Sequence, residues 1–257
     1  MEDSSKPIIR VEDVTVAYGD SVVLKDLNFQ VKPGEIFIIL GGSGCGKSTL
    51  LKHMISLHYP LKGKILIDGV DIVTAEGSEL REILRKIGVM YQNGALFGSM
   101  NLLDNICLVL EELTDLPRDA AETIALMKLN VVGLVNSAYK MPSELSGGMK
   151  KRAAIARAMA LDPKILFLDE PSAGLDPVTS SQLDDLILKL SRTLKITFVV
   201  VTHELPSIFA VADRVIMLDK NTKTIIATGT PGELRDKSDD PWVRQFFGRQ
   251  RKADVPV

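Results

Sequence analysis

Four segments in the first third of the chain, Ile8 to Ala17, Val22 to Val31, Ile36 to Leu40 and Lys64 to Ile67, are short, rich in β-branched residues and read as strands. They predict an early β-rich layer. From Leu80 to Leu161 the apolar positions fall mainly at helical spacing. From Lys164 onward short apolar runs, ILFLD and ITFVVVTH, alternate with polar helical stretches such as SSQLDDLILKLSRTL. Strand and helix alternating in this way imply an α/β fold built on a parallel sheet. No internal repeat or low-complexity linker divides the chain, and the charged, Pro-containing tail from Asp236 is expected to be its least ordered part.

An apolar content of 46% in 257 residues is ample for a buried core, as one large domain or two closely joined lobes. The formal net charge of -2 and pI near 6.0 argue against the one-sided positive field with which a nucleic-acid binder collects phosphates, so no nucleic-acid partner is expected. The opening MEDSSK lacks the basic start and apolar core of a secretory signal, and Cys45 and Cys107 lie far apart; both are expected to be reduced thiols in a cytoplasmic protein. The runs IFIIL and ITFVVV fall well short of the roughly 20 residues a membrane-spanning helix needs, so any service to a membrane runs through a partner.

The strongest local signal is Gly41-Gly42-Ser43-Gly44-Cys45-Gly46-Lys47-Ser48, a GxxxxGK[ST] phosphate loop directly after IFIIL. Its glycines let the backbone curl until successive N–H groups point at one phosphate chain, and the helix opening at Lys47 adds the positive end of its dipole. Lys47 is expected to reach the β- and γ-phosphates of ATP and the Ser48 hydroxyl to ligate Mg²⁺, with Thr49 counted among the nucleotide-binding residues. A second element, Ile165 to Glu170, is a buried-strand pattern with an acidic pair at its carboxyl end, where α/β sheets place their ligands. Asp169 is expected to hold the Mg²⁺ shell. Glu170 is the expected general base or orienting group for the attacking water, a role that contributes about 10²- to 10⁴-fold in rate. Alone, such a strand end is usually only a strand entering a loop; beside a phosphate loop it reads as catalytic.

These two motifs define no more than a P-loop nucleotidase. Leu145-Ser146-Gly147-Gly148-Met149, followed by the basic run Lys150-Lys151-Arg152, narrows the class, because it resembles the LSGGQ signature of ATP-binding cassette (ABC) ATPases, with Met in the fifth place. Ser146, Gly147 and Gly148 can offer hydroxyl and backbone N–H donors to a γ-phosphate at a helix start. The resemblance implies two subunits packed head to tail, the signature of one closing over ATP held by the phosphate loop of the other. It extends in order along the chain: Tyr18 matches the aromatic that stacks on adenine, Val23 the apolar residue beside it, and Gln92 the loop glutamine that contacts Mg²⁺. Ser172 to Asp176 matches the loop that crosses the dimer interface, and His203 the histidine that contacts the γ-phosphate. Singly, Tyr18 reads equally as a strand aromatic, Gln92 as a solvated loop amide and His203 as a capping or core histidine; their order carries the resemblance.

The resemblance runs from about Ile8 to Leu234 and implies a single ABC ATPase domain over residues 1–257. A RecA-like P-loop NTPase lobe with an antiparallel β layer is expected at about residues 6–93 and 163–235, an inserted α-helical lobe at about 94–162 and a tail at 236–257. Both sites of a homodimer would carry Lys47, Gln92, Glu170 and His203, so both are expected to hydrolyse ATP. Translation-factor cassettes come as two in one chain, and repair-type ATPases separate the motifs by long coiled coil. Neither feature is present, which leaves the detachable ATPase subunit of a transporter whose permease is a separate chain.

Within that class QNGALFGSMNLLDNI, MKLNVVGL, MPSELSGGM and DDPWVRQFFG resemble ATPases of Mla/MCE lipid-transport systems. That resemblance implies phospholipid trafficking between inner and outer membranes, an MCE-type lipid-binding partner, and a peripheral place on the cytoplasmic face of the inner membrane. The alternatives are the ATPase of an importer for another solute, or a non-transport ABC ATPase. Ala95, Leu96, Phe97 and Met100 are expected either to contact a permease coupling helix or to belong to the core of the helical lobe. Trp242, Phe246 and Phe247, at helical spacing, are expected to dock on the opposite ATPase subunit, or to lie in a frayed tail.

Overall fold

The computed structural model describes residues 6–19 and 21–248. The amino-terminal part runs through β1 (Ile9–Tyr18), β2 (Ser21–Val31), β3 (Ile36–Gly41), α1 (Lys47–Met54), β4 (Lys62–Ile67), β5 (Val70–Asp71), α2 (Gly77–Arg85) and β6 (Ile87–Met90). Three helices follow: α3 (Leu102–Leu113), α4 (Arg118–Val131) and α5 (Gly147–Ala158). The carboxy-terminal part comprises β7 (Ile165–Asp169), α6 (Pro177–Leu194), β8 (Thr197–Val201), α7 (Leu205–Val211), β9 (Arg214–Leu218), β10 (Ile225–Gly229), α8 (Pro231–Lys237) and α9 (Pro241–Gly248).

Two sheets result. Antiparallel β2-β1-β4-β5 forms the early β layer, and β10-β9-β3-β8-β7-β6 forms a larger sheet that is parallel except at its β9–β10 edge. Ile36 to Leu40 therefore departs from the early layer: as β3 it takes an inner place of the six-stranded sheet, between parallel β8 and β9. Its six residues are all buried, and a strand apolar at every position needs cover on both faces. The two faces separate by strict alternation. Ile36, Ile38 and Leu40 join Leu166, Leu168, Phe198 and Val200 in a core under the helices; Phe37 and Ile39 join Ile165, Phe167, Val199 and Val201 in a core against the β layer. The mainly helical reading of Leu80 to Leu161 is also corrected at Ile87–Met90, a strand too short to break a helical window, which pairs with β7.

The described part of the tail forms α9. Asp240 Oδ1 accepts from the backbone N–H groups of Trp242 and Val243 at 2.8 and 3.2 Å, and Val243 and Phe247, one helical turn apart, are both 0% exposed. Phe247 meets Phe209 of α7 edge-on at 5.9 Å. Its expected docking on an opposite subunit is thus overturned: burying such a side chain is worth about 1.5–3 kcal/mol, and its own chain already provides the pocket. Residues 249–257 of the tail lie outside the described residues.

One buried group has a consequence for stability. Burial lifts the Asp184 carboxyl of α6 from 3.8 to about 6, against the opposing pull of its hydrogen bond with Ser207. The folded chain therefore holds this proton more tightly than the unfolded chain, and the stability it contributes is complete below 3.8 and lost as pH rises through about 6. Asp184→Asn, neutral throughout, is expected to stabilise the protein by about 1–2 kcal/mol near pH 8, allowing for solvent screening. The gain should shrink towards zero near the acid end of that window. Thermal melts of both proteins across the range check this; a gain independent of pH would contradict it.

Candidate active site

The phosphate loop is shaped by close packing. A Cβ on Gly41, at φ 153, would lie 2.5 Å from the Leu218 carbonyl oxygen and 2.6 Å from Cys45 Sγ; one on Gly46, at φ 101, would lie 2.9 Å from Val23 Cγ1. Only glycine lets the loop leave β3 and enter α1 here. Gly46 caps α1 without a side-chain hydrogen bond, so the first N–H groups of the helix keep their capacity for an anion. Lys47 Nζ donates to the carbonyls of Gly41 and Gly42 at 2.9 and 3.2 Å, closing the loop over itself.

Beneath the loop, Ser48 Oγ donates to Asp169 Oδ1 at 3.0 Å, which brings the helix start and the end of β7 together. Glu170 then turns into the left-handed region, at φ 47. Its Oε1 lies 2.8 Å from His203 Nδ1, while Oε2 is buried without a hydrogen-bond partner. The two residues differ in access: the Glu170 side chain is 11% exposed and that of His203 56%.

Apart from Asp169, which is tied to it through Ser48, these groups line one cleft of about 800 Å³. Tyr18 and Val23 form part of its wall, with Gly41 to Gly44, Gly46 to Thr49, Gln92, Glu170 and His203. Tyr18 is 50% exposed. Cys45 is the exception within the loop. The residue is 2% exposed, with its side chain in the core below, where burial raises the thiol pKa, and its backbone N–H donates to the Gly42 carbonyl at 3.3 Å. The cleft also takes Leu205, Trp242, Gln245 and Phe246, which the sequence reading did not place there. Trp242 and Phe246 stack at 5.8 Å, and Trp242 lies against Gly42. Their i, i+4 spacing shows a shared helix face; where that face points depends on how α9 docks.

The signature residues stand apart from this cleft. Ser146 caps α5, its Oγ accepting from Met149 N at 3.3 Å. A Cβ on Gly148 would come within 2.3 Å of Thr179 Cγ2 in α6. Asp176 caps α6: its Oδ1 accepts from Val178 N and Thr179 N at 3.1 and 3.0 Å, and its Oδ2 accepts from Thr179 Oγ1 at 2.6 Å. In the loop after Gln92, Ala95 and Phe97 are exposed, and Leu96 packs against the helical core. Fully buried Asn105 pins that loop, donating to the carbonyls of Phe97, Met100 and Asn101 and accepting from Phe97 N.

The arrangement fits a nucleoside triphosphate with a divalent cation. An uncapped helix start and an ammonium suit phosphate, a hydroxyl beside a carboxylate suits a hard cation, and an unpaired buried carboxylate oxygen suits a water.

Residues 24–173 match the ABC transporter family. The intermembrane phospholipid transport system ATP-binding protein MlaF of Haemophilus influenzae is 41% identical over 97% of this chain and 93% of its own length. The probable ribonucleotide transport ATP-binding protein mkl of Mycobacterium leprae is 42% identical over 96% of this chain and 70% of its own length. Among solved structures, cbiO1 from Clostridium perfringens, part of the ABC transporter complex cbiONQ, has a TM-score of 0.84 at 29% identity, with 98% of this chain and 97% of that chain covered. A dimeric post-hydrolysis structure of the ATP-binding cassette MJ0796 with ADP and Pi has a TM-score of 0.77 at 32% identity, covering 86% of this chain and 98% of that one.

Proposed function

Because this chain belongs to the ABC transporter family as an ATP-hydrolysing cassette, we propose that two copies close head to tail over ATP and Mg²⁺ and drive a separate permease that moves phospholipid between membranes. The observation that carries the chemistry is Glu170 Oε2. Leaving a buried carboxylate oxygen unpaired costs about 1–3 kcal/mol or more, a cost that a catalytic water would relieve.

In this reading Tyr18 and Val23 receive the adenine, and the N–H groups from Gly42 to Ser48 receive the phosphates. Lys47 exchanges the Gly41 and Gly42 carbonyls for the β- and γ-phosphate oxygens. Ser48, Asp169 and Gln92 would hold Mg²⁺, which when bound neutralises charge on the β- and γ-oxygens. Glu170 orients the attacking water and accepts its proton through Oε2, while His203 holds Oε1 and so fixes the carboxylate plane. Ser146, Gly147 and Gly148 lie outside the cleft of their own chain, which supports their serving the cleft of the second copy, with Asp176 beside them at the interface. Residues 94–162 act as the lobe that carries the signature, inserted between the two parts of the nucleotide-binding lobe.

No helix among the described residues is long and apolar enough to cross a membrane. The kinship with transport-system ATP-binding proteins supports attachment at the cytoplasmic face through the permease, with Ala95 and Phe97 offered to it. For cargo, the MlaF match spans nearly all of both chains, whereas the mkl match leaves about a third of that protein uncovered; an MCE-type lipid-binding protein is the expected third component. Affinity purification from native membrane in mild detergent, followed by mass spectrometry, tests the reading. A permease, an MCE-type protein and bound phospholipid are expected. A nucleotide or other solute carrier in their place would keep the ATPase and overturn the cargo.

A further inference from the structure

The signature helix carries a buried cation that no step above uses. Lys151, in the second turn of α5, is 7% exposed, and its ammonium donates to two main-chain carbonyls on different loops: a short bond to Gln92 and one of 3.3 Å to Glu170. The same Glu170 carbonyl accepts from Ala173 N at 3.2 Å. Burial lowers the lysine's pKa, and the charges of Glu170 and Asp169 oppose that shift. An ammonium is a costly way to fill space, and an aliphatic side chain of the same length would fill it without desolvating a charge. What an aliphatic chain cannot do is hold two carbonyls together. Those carbonyls belong to Gln92 and to Glu170, whose left-handed backbone sets where its carboxylate points.

We infer that Lys151 is a positioning residue that ties the signature helix to the backbones of Glu170 and Gln92 in the same chain. Lys151 lies one helical turn beyond Gly147, so a force on the α5 start is delivered directly to both loops. In the dimer, the α5 start of one copy meets the nucleotide held by the other. Closure over one ATP thereby adjusts Glu170 at the second site, and Lys151 couples the two sites. The inference rests on the roles proposed above for Glu170 and the signature.

The test compares Lys151→Met, Lys151→Gln and Lys151→Arg with the unaltered chain and Glu170→Gln, in the complex with its permease, by melting temperature, ATP affinity, kcat and the Hill coefficient for ATP. Lys151→Met is expected to lower kcat roughly ten- to hundredfold, as a small misplacement of the reacting groups does, with little change in affinity. The Hill coefficient should fall towards one. Lys151→Arg, which can still donate to both carbonyls, should recover most of kcat. If Lys151→Met does not fold, Lys151→Gln, too short to span both carbonyls, carries the same expectation. Normal kcat and Hill coefficient in the Met or Gln variant, with Glu170→Gln inactive, would overturn the coupling alone; an active Glu170→Gln would overturn the site reading beneath it. A melting loss that Lys151→Arg restores without restoring kcat would also count against positioning.

Discussion

Glu170→Gln is expected to lower kcat by about 10²- to 10⁴-fold while ATP affinity is retained. The amide matches the carboxylate in shape and can still meet His203 Nδ1, now at 2.8 Å, but it cannot take a proton from water. The cleft, the phosphate loop and the signature are untouched, so closure over ATP proceeds and the step that reopens the dimer fails. Phosphate release gives the rate, and gel filtration with ATP and Mg²⁺ gives the assembly. A dimer that persists with ATP and disperses with ADP is the expected result; only monomer in both would count against the head-to-tail arrangement.

The second large effect is on binding. Lys47→Ala removes the one side-chain ammonium that the loop directs at its own carbonyls, Gly41 and Gly42. Two charge-assisted bonds to phosphate are worth about 3–5 kcal/mol together, so affinity for ATP should fall roughly 10²- to 10⁴-fold. Fold stability should change little, because each freed carbonyl lies at the wall of an open cleft where water can replace the ammonium. The chain's single tryptophan, Trp242, lines the same cleft, so its emission provides the titration. An unchanged dissociation constant would remove Lys47 from the site.

Binding and rate separate because of how the site is built. The phosphate loop is local: β3, loop and α1 are contiguous, and Gly41 and Gly46 are needed because of neighbours that a Cβ would strike. Glu170 is placed by long-range contacts instead, its N–H donating to Val201 of β8 at 2.8 Å and its carbonyl accepting from Lys151 of α5. Mutations of the loop should therefore act on affinity, and mutations around Glu170 on rate.

The α/β class, the phosphate loop after a buried strand, the acidic end of β7 and the order of the motifs were all legible in the linear chain. These are properties of short windows, set by apolar periodicity and by residue types whose chemistry is local. Packing of the folded chain settled which sheet receives Ile36–Gly41, that Ile87–Met90 is a strand, and that the tail turns Phe247 inward while Trp242 and Phe246 face the cleft. It also decided that the Cys45 thiol leaves the cleft and that Lys151 reaches two loops 59 and 19 residues away. Each of these depends on which distant surface an element packs against, and burial and hydrogen bonding across the chain select that surface after local propensity has been spent.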